Sequence, residues 1–265
     1  MLVRGVTLDA VGVLISPREA VGVAYHRALE MHDKAAAAAT SPAAIAARYR
    51  RAYNNPRLHS AGSSSRFHAD FWMGIVREST GSSCPRVFEE IYDYFSSPAA
   101  WRLLPGAADA LRRLRAAGLR TAVVSNNDAR LRPLLEGLGI GPPLVDAVIV
   151  SAEVGVEKPS PAIFEAALQA LGLPRGNVVH CGDDRLLDVW GGRDAGILSL
   201  HLGPHAGSDV RSLPAFVDYL LRHHDHRDGG VPFYFMHSDD DEDEDEDEEG
   251  GALPDRPAGR ASFGR

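Results

Sequence analysis

Three acidic residues lie close together in the segment HCGDDRLLDVWGG, directly after a short apolar run. They are Asp183, Asp184 and Asp188. Carboxylates this close repel one another unless a cation or hydrogen-bond donors compensate their charge. Magnesium, which is bound through a few carboxylates plus water, is the natural counter-ion. The segment therefore predicts a metal site, with a solvated acidic turn as the alternative.

A further carboxylate follows the apolar run near the start of the chain. Asp9 stands in LDAVGVL, where Gly12 permits a sharp turn. Its position at the end of a predicted strand makes it a candidate functional residue. For Asp9 considered alone, a structural role as a helix or turn cap is as well supported as a functional role.

Polar side chains also follow a second apolar run, at Ser125, Asn126 and Asn127. A hydroxyl, two amides and the first N–H groups of the next helix would meet there, which suits an anion. A capping serine followed by turn-forming asparagines is the stronger alternative for this segment by itself.

One lysine stands where its backbone is stiffened by neighbours. In VEKPSPAIF, Pro159 and Pro161 restrict the approach of Lys158, and a helix opens at Ser160 or Pro161. This arrangement predicts an ammonium group that points back towards the same site. A solvated lysine is the alternative.

Five short runs rich in valine, isoleucine and leucine predict the strands that position these residues. They occupy residues 3–8, 119–124, 145–150, 177–181 and 197–200. Such continuous apolar runs are typical of strands buried on both faces. Helical patterns separate the later runs, which indicates repeated β-α-β units and a parallel sheet. Ligands bind beyond the carboxyl ends of such strands, where the polar segments are expected to meet.

The interval between the first two predicted strands is much longer than the others. Residues 16–104 are mostly helical in pattern, so we expect a helical cap inserted into a core of residues 1–15 and 105–225. Aromatic residues in the insertion recur at intervals of three to four, which favours a cap core over a substrate pocket. They are Phe67, Phe71, Trp72, Phe88, Tyr92 and Phe95.

The charge of the chain is unevenly distributed. The formal net charge is -8, but 11 of the 36 acidic residues lie at 239–249, which leaves 25 acids against 28 basic residues elsewhere. A nearly neutral body argues against nucleic-acid binding, which depends on basic stripes. Residues 226–265 are predicted to be a disordered tail. Its acidic run is expected to keep the tail solvated, and binding of a basic protein partner is the alternative.

Cysteine content and hydropathy limit where in the cell the protein is expected to be found. The two cysteines, Cys84 and Cys181, form no Cys-x-x-Cys pattern, so neither a disulfide framework nor a structural zinc site is expected. No apolar run approaches the roughly 18 residues of a membrane span, so no membrane association is expected. The first predicted strand begins by Val3, which leaves no room for a signal peptide. The cytoplasm is the expected location, with the nucleus as the alternative.

Taken together and in this order, the polar segments resemble the haloacid dehalogenase-like hydrolase superfamily. The matching features are the Asp9 turn, Ser125-Asn126, Lys158 before a proline, and Gly182-Asp183 with Asp188. The resemblance covers residues 3–205. It implies an α/β fold with a Rossmann-like core and a helical cap after the first strand.

The resemblance also implies roles for these residues in hydrolysing a small phosphorylated molecule. Asp9 would attack the phosphoryl group and form an aspartyl-phosphate, which water then hydrolyses. Ser125, with Asn126, would bind phosphoryl oxygens, and Lys158 would neutralise developing charge and hold Asp9. The implied cofactor is Mg²⁺. Its ligands would be the Asp9 carboxylate, the backbone carbonyl of Val11, and Asp183 assisted by Asp184 or Asp188.

The sequence departs from the family pattern at Val11. Family phosphatases have a second aspartate two residues after the nucleophile, which protonates the leaving oxygen and later activates water. A valine can do neither, and positioned acid–base groups contribute on the order of 10²–10⁴ in rate. We therefore expect a magnesium-dependent phosphatase with weakened activity.

Two other functions remain open. One is a pseudoenzyme that keeps the fold and acts as a binding or interaction module. The other is a 2-haloacid dehalogenase, a branch that also lacks the second aspartate because halide leaves without protonation. That branch typically has an aromatic residue in place of Val11 and an arginine early in the cap, which cannot be assigned here between Arg18 and Arg27.

Overall fold

Seven strands occur within the part of the chain that the computed structural model describes, which is residues 2–53, 55 and 69–224. They are β1 (Gly5–Leu8), β2 (Ile15–Pro17), β3 (Trp101–Leu103), β4 (Arg120–Ser125), β5 (Ala147–Val150), β6 (Val178–Gly182) and β7 (Leu198–His201). Five of them form one parallel sheet in the order β5-β4-β1-β6-β7. These five are the strands predicted from the sequence, and each predicted boundary lies within two residues of the observed one.

Helices cover both faces of this sheet. They are α6 (Ala107–Ala116), α7 (Leu131–Gly137), α8 (Ser151–Val154), α9 (Pro161–Leu171), α10 (Gly191–Asp194) and α11 (Leu213–His224). Alternate residues of β4 enter different apolar clusters: Val123 packs with α6 and α11, whereas Ala122 and Val124 pack with α9. Because both faces are buried, the strands are apolar throughout. The predicted Rossmann-like fold is confirmed.

Among the described residues, five helices lie between β2 and β3. They are α1 (Val21–His32), α2 (Lys34–Ala38), α3 (Pro42–Tyr53), α4 (Ala69–Thr80) and α5 (Pro85–Ser96). These helices form apolar clusters of their own, in which Leu29, Ile45 and Val87 are fully buried. They are the helical cap expected from the sequence.

The two chain segments that join cap and core pair with each other. Strands β2 and β3 are antiparallel, with Ile15 opposite Leu103 and Pro17 opposite Trp101. The sequence did not predict these strands, because three-residue segments are too short for a hydrophobic period. The predicted cap limits at residues 16 and 104 fall within β2 and directly after β3.

Some predictions concern residues outside the described part of the chain. These are the disordered tail at 226–265 with its acidic run at 239–249, and Phe67 in the cap. None of the described helices combines the length and the apolar character that crossing a bilayer requires.

Candidate active site

A buried lysine joins two carboxylates at the carboxyl edge of the sheet. The Nζ atom of Lys158 lies 2.8 Å from Oδ1 of Asp9 and 2.6 Å from Oδ1 of Asp188. The Lys158 side chain is only 2% exposed. Burial alone would lower the pKa of Lys158, but the charges of Asp9 and Asp188 raise it above its usual value. The lysine is therefore a fixed positive charge between two acids.

Asn126 positions this lysine through its backbone. The Nδ2 group of Asn126 donates to the carbonyl oxygen of Lys158 at 3.0 Å, and the backbone N–H of Lys158 donates to Oδ1 at 2.7 Å. Both polar groups of the Asn126 amide therefore form hydrogen bonds with the backbone of Lys158. The sequence predicted that Asn126 binds phosphate, whereas in the structure its side chain connects the end of β4 to the loop before α9.

Asp188 accepts hydrogen bonds at both carboxylate oxygens. Oδ1 lies 3.2 Å from Nε2 of His180 as well as near Lys158, and Oδ2 accepts from the backbone N–H of Asp184 at 3.0 Å. Burial acts to raise the pKa of Asp188, but Lys158 and His180 together hold it well below its usual range. A Cβ atom at Gly182 would overlap Asp188, so this approach requires glycine there.

His180 and Thr7 extend the network below the site. Because an ionised carboxylate can only accept, His180 donates to Asp188 through Nε2. Its Nδ1 atom lies 2.9 Å from Oγ1 of Thr7, and both residues are fully buried. Sequence reasoning missed both residues. The available signal was a histidine and a threonine inside otherwise apolar strands.

Asp183 follows β6 and lies against the turn after Asp9. Gly12 has a φ angle of +92°, and a Cβ atom there would overlap the Asp183 carboxylate. The turn therefore needs glycine for its backbone conformation and for the approach of Asp183. The Asp183 residue is exposed, but partial desolvation of its carboxyl, together with the charges of Asp9 and Asp188, raises its pKa to about 7.

Three of the predicted metal ligands are brought together. One carboxylate oxygen from each of Asp9, Asp183 and Asp188 lies within 4.8 Å of the others. Burial raises the pKa of Asp9, and Lys158 opposes that effect. A cation would relieve the repulsion among these acids, and an all-oxygen set matches the preference of Mg²⁺. The residues therefore fit the predicted magnesium site.

The other two predicted ligands are placed differently. Asp184 is not part of the three-carboxylate cluster: its Oδ1 atom accepts from the backbone N–H groups of Leu186 and Leu187, both at 2.8 Å. It caps a π-helical segment, Arg185–Trp190, that holds Asp188. The carbonyl of Val11 accepts no hydrogen bond from the described residues, so its oxygen is available to a cation.

A cavity of about 450 Å³ opens above these residues, between the sheet edge and the cap. Asp9, Ser125, Lys158 and Asp183 line its polar end. Within the described part of the chain the Ser125 hydroxyl has no hydrogen-bond partner, which leaves it available to a phosphoryl oxygen. Val11, 37% exposed, also lines the cavity and offers no ionisable group.

Aromatic side chains of the cap line the other end of the cavity. They include Tyr49, Tyr53, Trp72, Phe88, Tyr92 and Phe95. The expectation that the cap aromatics form a core holds for Phe71, which is buried in an apolar cluster. It also holds for Trp72, Phe88 and Phe95, which pack against apolar clusters of the cap. These three and Tyr92 line the cavity as well, because residues at helical spacing can contribute to a core and to a ligand space beside it.

An ion pair that sequence reasoning missed links the core to the cap. The guanidinium of Arg130 is bidentate to Asp128, with Nη2 to Oδ2 at 2.6 Å and Nε to Oδ1 at 2.9 Å. It lies 3.7 Å from the ring centroid of Tyr92 and donates to Ser96 at 3.0 Å. The indole N–H of Trp72 donates to Asp128 at 3.1 Å. The charged residues in SNNDAR, just after the predicted anion site, were the available signal.

Comparison with known proteins places the chain in a family. Residues 3–196 match the haloacid dehalogenase-like hydrolase family. The chain belongs to that family. The match includes Asp9, Ser125, Lys158, Asp183 and Asp188, so the features used to recognise the resemblance all lie within it.

Relatives in this family carry more than one activity. The human haloacid dehalogenase-like hydrolase domain-containing protein 3 is 32% identical over 216 residues, which is 77% of this chain and 84% of that protein. A phosphoserine phosphatase from Thermus thermophilus is 30% identical over 156 residues, or 53% of this chain and 62% of that protein. The L-2-haloacid dehalogenase RSc1362 has the same fold, with a TM-score of 0.64, 18% identity, and coverage of 83% of this chain and 100% of that one.

Proposed function

We propose that this protein is a magnesium-dependent hydrolase of small phosphoric monoesters, with Asp9 as the nucleophile. The observation that carries the proposal is the position of Asp9, which faces the cavity while Lys158 holds its Oδ1 atom at 2.8 Å. In the first step an Asp9 oxygen bonds to phosphorus and the bond to the leaving oxygen breaks. Water then attacks the aspartyl-phosphate and releases inorganic phosphate.

The remaining residues of the site support this chemistry electrostatically. Lys158 neutralises negative charge on the phosphoryl oxygens, while Asp188 and His180 keep its ammonium in place. Ser125 donates its hydroxyl hydrogen to a phosphoryl oxygen. Magnesium held by Asp9, Asp183 and Asp188 would offset the charge of the phosphoryl group. The phosphoserine phosphatase among the relatives adds support for this reaction class.

Val11 limits which esters can be cleaved well. Its side chain has no proton for the leaving oxygen, and it stands where family phosphatases have their second aspartate. A leaving group that is stable as an anion needs little protonation. We therefore expect aryl phosphates to react much faster than alkyl phosphates.

The same valine supports a second candidate function, a binding module without turnover. In that case the charged cluster would bind magnesium and a phosphate group, but an ester would not be cleaved. The cluster of Asp9, Lys158 and Asp188 favours the hydrolase, because a nucleophile held against a buried lysine is not needed for binding alone.

Dehalogenation is less well supported by the cavity. Its substrate carries a carboxylate, which needs a cationic partner. Arg27 is paired with Glu19 at 2.6 Å, and neither Arg27 nor Arg18 lines the cavity. The basic residues that do line it within the described part of the chain are Arg130 and Lys158, and both are already ion-paired.

Hydrolysis of 4-nitrophenyl phosphate by the purified full chain tests the proposal. We expect turnover with Mg²⁺, loss of turnover with EDTA, and loss in Asp9→Asn. Asp93→Asn, which changes an exposed acid outside the cavity, is the matched control. Undiminished turnover in Asp9→Asn would contradict the nucleophile assignment. Absence of turnover in a protein that still binds Mg²⁺ and phosphate would favour the binding module.

A further inference from the structure

The two ends of the cavity differ in chemical character. Asp9, Ser125 and Lys158 lie at one end, where a phosphoryl group would react. The leaving group of the substrate must then extend towards the cap. The residues at the cap end therefore decide which leaving groups are accepted.

Aromatic rings dominate that end. Tyr49, Tyr53 and Trp72 form one group, in which the ring centroids of Tyr49 and Tyr53 are 5.9 Å apart and those of Tyr53 and Trp72 are 6.3 Å apart. Phe88 and Tyr92, with centroids 5.3 Å apart, come from α5. Aromatic side chains favour offset-stacked and edge-to-face contacts with a further ring. A volume of about 450 Å³ is within the usual range for a small-molecule site.

The charged residues at this end are already neutralised. Arg130 is bidentate to Asp128 and its guanidinium covers the ring of Tyr92. No unpaired basic side chain remains among the described residues that line the cavity. A second anionic group on the leaving group would lose its hydration without gaining a counter-charge from the described lining residues, which is costly.

We infer that the preferred substrates are phosphoric monoesters whose leaving group carries an uncharged aromatic ring, and that the Asp128–Arg130 pair excludes leaving groups with a second negative charge. This inference rests on the proposed function, because it concerns the substrate of the same site. Asp128 acts here as a specificity-determining residue. It keeps Arg130 from serving as an anion receptor.

Two matched phosphonates test the inference without requiring turnover. Benzylphosphonate and phosphonoacetate share a P–CH₂ unit and differ in carrying a phenyl ring or a carboxylate. Calorimetric titration of the full chain with Mg²⁺ present is expected to give at least about tenfold tighter binding of benzylphosphonate, because an unpaired charge in the cavity is penalised. Equal or tighter binding of phosphonoacetate would overturn the inference. Tighter binding of cyclohexylmethylphosphonate would overturn its aromatic part.

The role of the ion pair has its own test. Asp128→Asn keeps the side-chain shape and an acceptor for Trp72 but removes the charge that neutralises Arg130. We expect the ratio of the two affinities to shift by about tenfold towards phosphonoacetate, as freeing the half-buried positive charge of Arg130 implies. Asp93→Asn should leave the ratio as it is in the unaltered chain. An unchanged ratio in Asp128→Asn, with circular dichroism showing a folded protein, would rule out this role for Asp128.

The outcomes separate this inference from the proposed function. If 4-nitrophenyl phosphate is hydrolysed in an Asp9-dependent manner but the phosphonates bind equally, only the inference fails. If neither phosphonate binds and no ester is hydrolysed, the proposed function fails and the inference fails with it.

Discussion

The side chain of Asn126 forms hydrogen bonds to both backbone polar groups of Lys158, at 3.0 and 2.7 Å. Since the lysine ammonium contacts Asp9 and Asp188, the position of the proposed nucleophile Asp9 depends on an amide that need not touch the substrate. We expect the Asn126→Ala variant to reduce kcat for 4-nitrophenyl phosphate by about 10² with a smaller change in KM, because small displacements of reacting groups are costly. Steady-state kinetics would show this.

Asn177→Ala is the matched control for that variant. It also removes a side-chain amide that binds a backbone carbonyl, that of Leu2, but far from the cavity. A loss of kcat as large as that of Asn126→Ala would show that amide removal acts through general destabilisation.

Removing the buried ammonium should affect stability as well as activity. The Lys158→Met variant leaves Asp9 and Asp188 facing each other without a counter-charge, and breaking a buried ion pair costs about 3 to 5 kcal/mol. We expect urea unfolding to show a loss of this size. The double variant Lys158→Met/Asp188→Asn, which removes one of the two charges, should recover part of the stability while remaining inactive. Full stability in the single variant would show that the three charges are not coupled.

Magnesium binding should strengthen as the pH rises through neutrality. Folding raises the pKa of Asp183 from 3.8 to about 7, so ionising it costs folding free energy over that interval, and a bound cation offsets the cost. Below about pH 7 a proton on Asp183 competes with the metal. We expect the rise in Tm caused by Mg²⁺ to be larger at pH 8 than at pH 6.

Variants of the neighbouring residues Asp183 and Asp184 test which of the two carboxylates binds magnesium. The Asp183→Asn variant should lose the Mg²⁺-dependent rise in Tm at both pH values. The Asp184→Asn variant should keep more of it, because Asp184 caps a helical segment instead of joining the carboxylate cluster. A larger loss in Asp184→Asn would reverse this assignment of ligands.

Substitution at two glycines with similar backbone angles can distinguish the effect of backbone strain from that of a steric clash with a neighbouring group. Gly12 and Gly118 have φ angles of +92° and +76°, but only at Gly12 would a Cβ atom meet another group, the Asp183 carboxylate. Alanine at either position should cost about 1 to 2 kcal/mol of backbone strain. Only Gly12→Ala is expected to weaken Mg²⁺ binding as well, which calorimetry can measure. Equal Mg²⁺ affinity in both variants would exclude a role for the Gly12 turn in placing Asp183.

Restoring an acid at position 11 tests what limits the native site. The Val11→Asp variant should raise turnover of alkyl phosphates by about 10²-fold, the lower end of general acid catalysis, and that of aryl phosphates much less. The comparison of benzyl phosphate with 4-nitrophenyl phosphate measures this difference. An equal increase for both esters would mean that protonation of the leaving oxygen is not what the native site lacks.

Residues that end apolar strands could be predicted from the sequence. Asp9 and Asp183 directly follow β1 and β6, and parallel pairing of those strands brings their carboxylates to one edge. Lys158 was found because its prolines mark a loop that enters a helix. In each case a local pattern and one rule of sheet topology marked the residue as a candidate, and the family resemblance supplied its implied role.

Contacts between distant segments could not be predicted in this way. Thr7 and His180 are 173 positions apart, and Trp72 and Asp128 are 56 apart. Neither pair has a period or spacing that a single sequence reveals. The use of the Asn126 amide on Lys158 was missed for the same reason, because it depends on how two loops meet.

The order of strands has a consequence for folding during synthesis. Asp9, the proposed nucleophile, follows β1, in which Gly5 pairs with Arg120 of β4 and Val178 of β6. Because β1 precedes both neighbours in the chain, it leaves the ribosome before them and waits for both, while the helices of the cap can form from local contacts as they emerge. Pairing across such sequence separations is slow because loop-closure entropy must be overcome first. The apolar segment that ends in Asp9 is thus a part of the nascent chain that needs protection from aggregation until its partner strands are made.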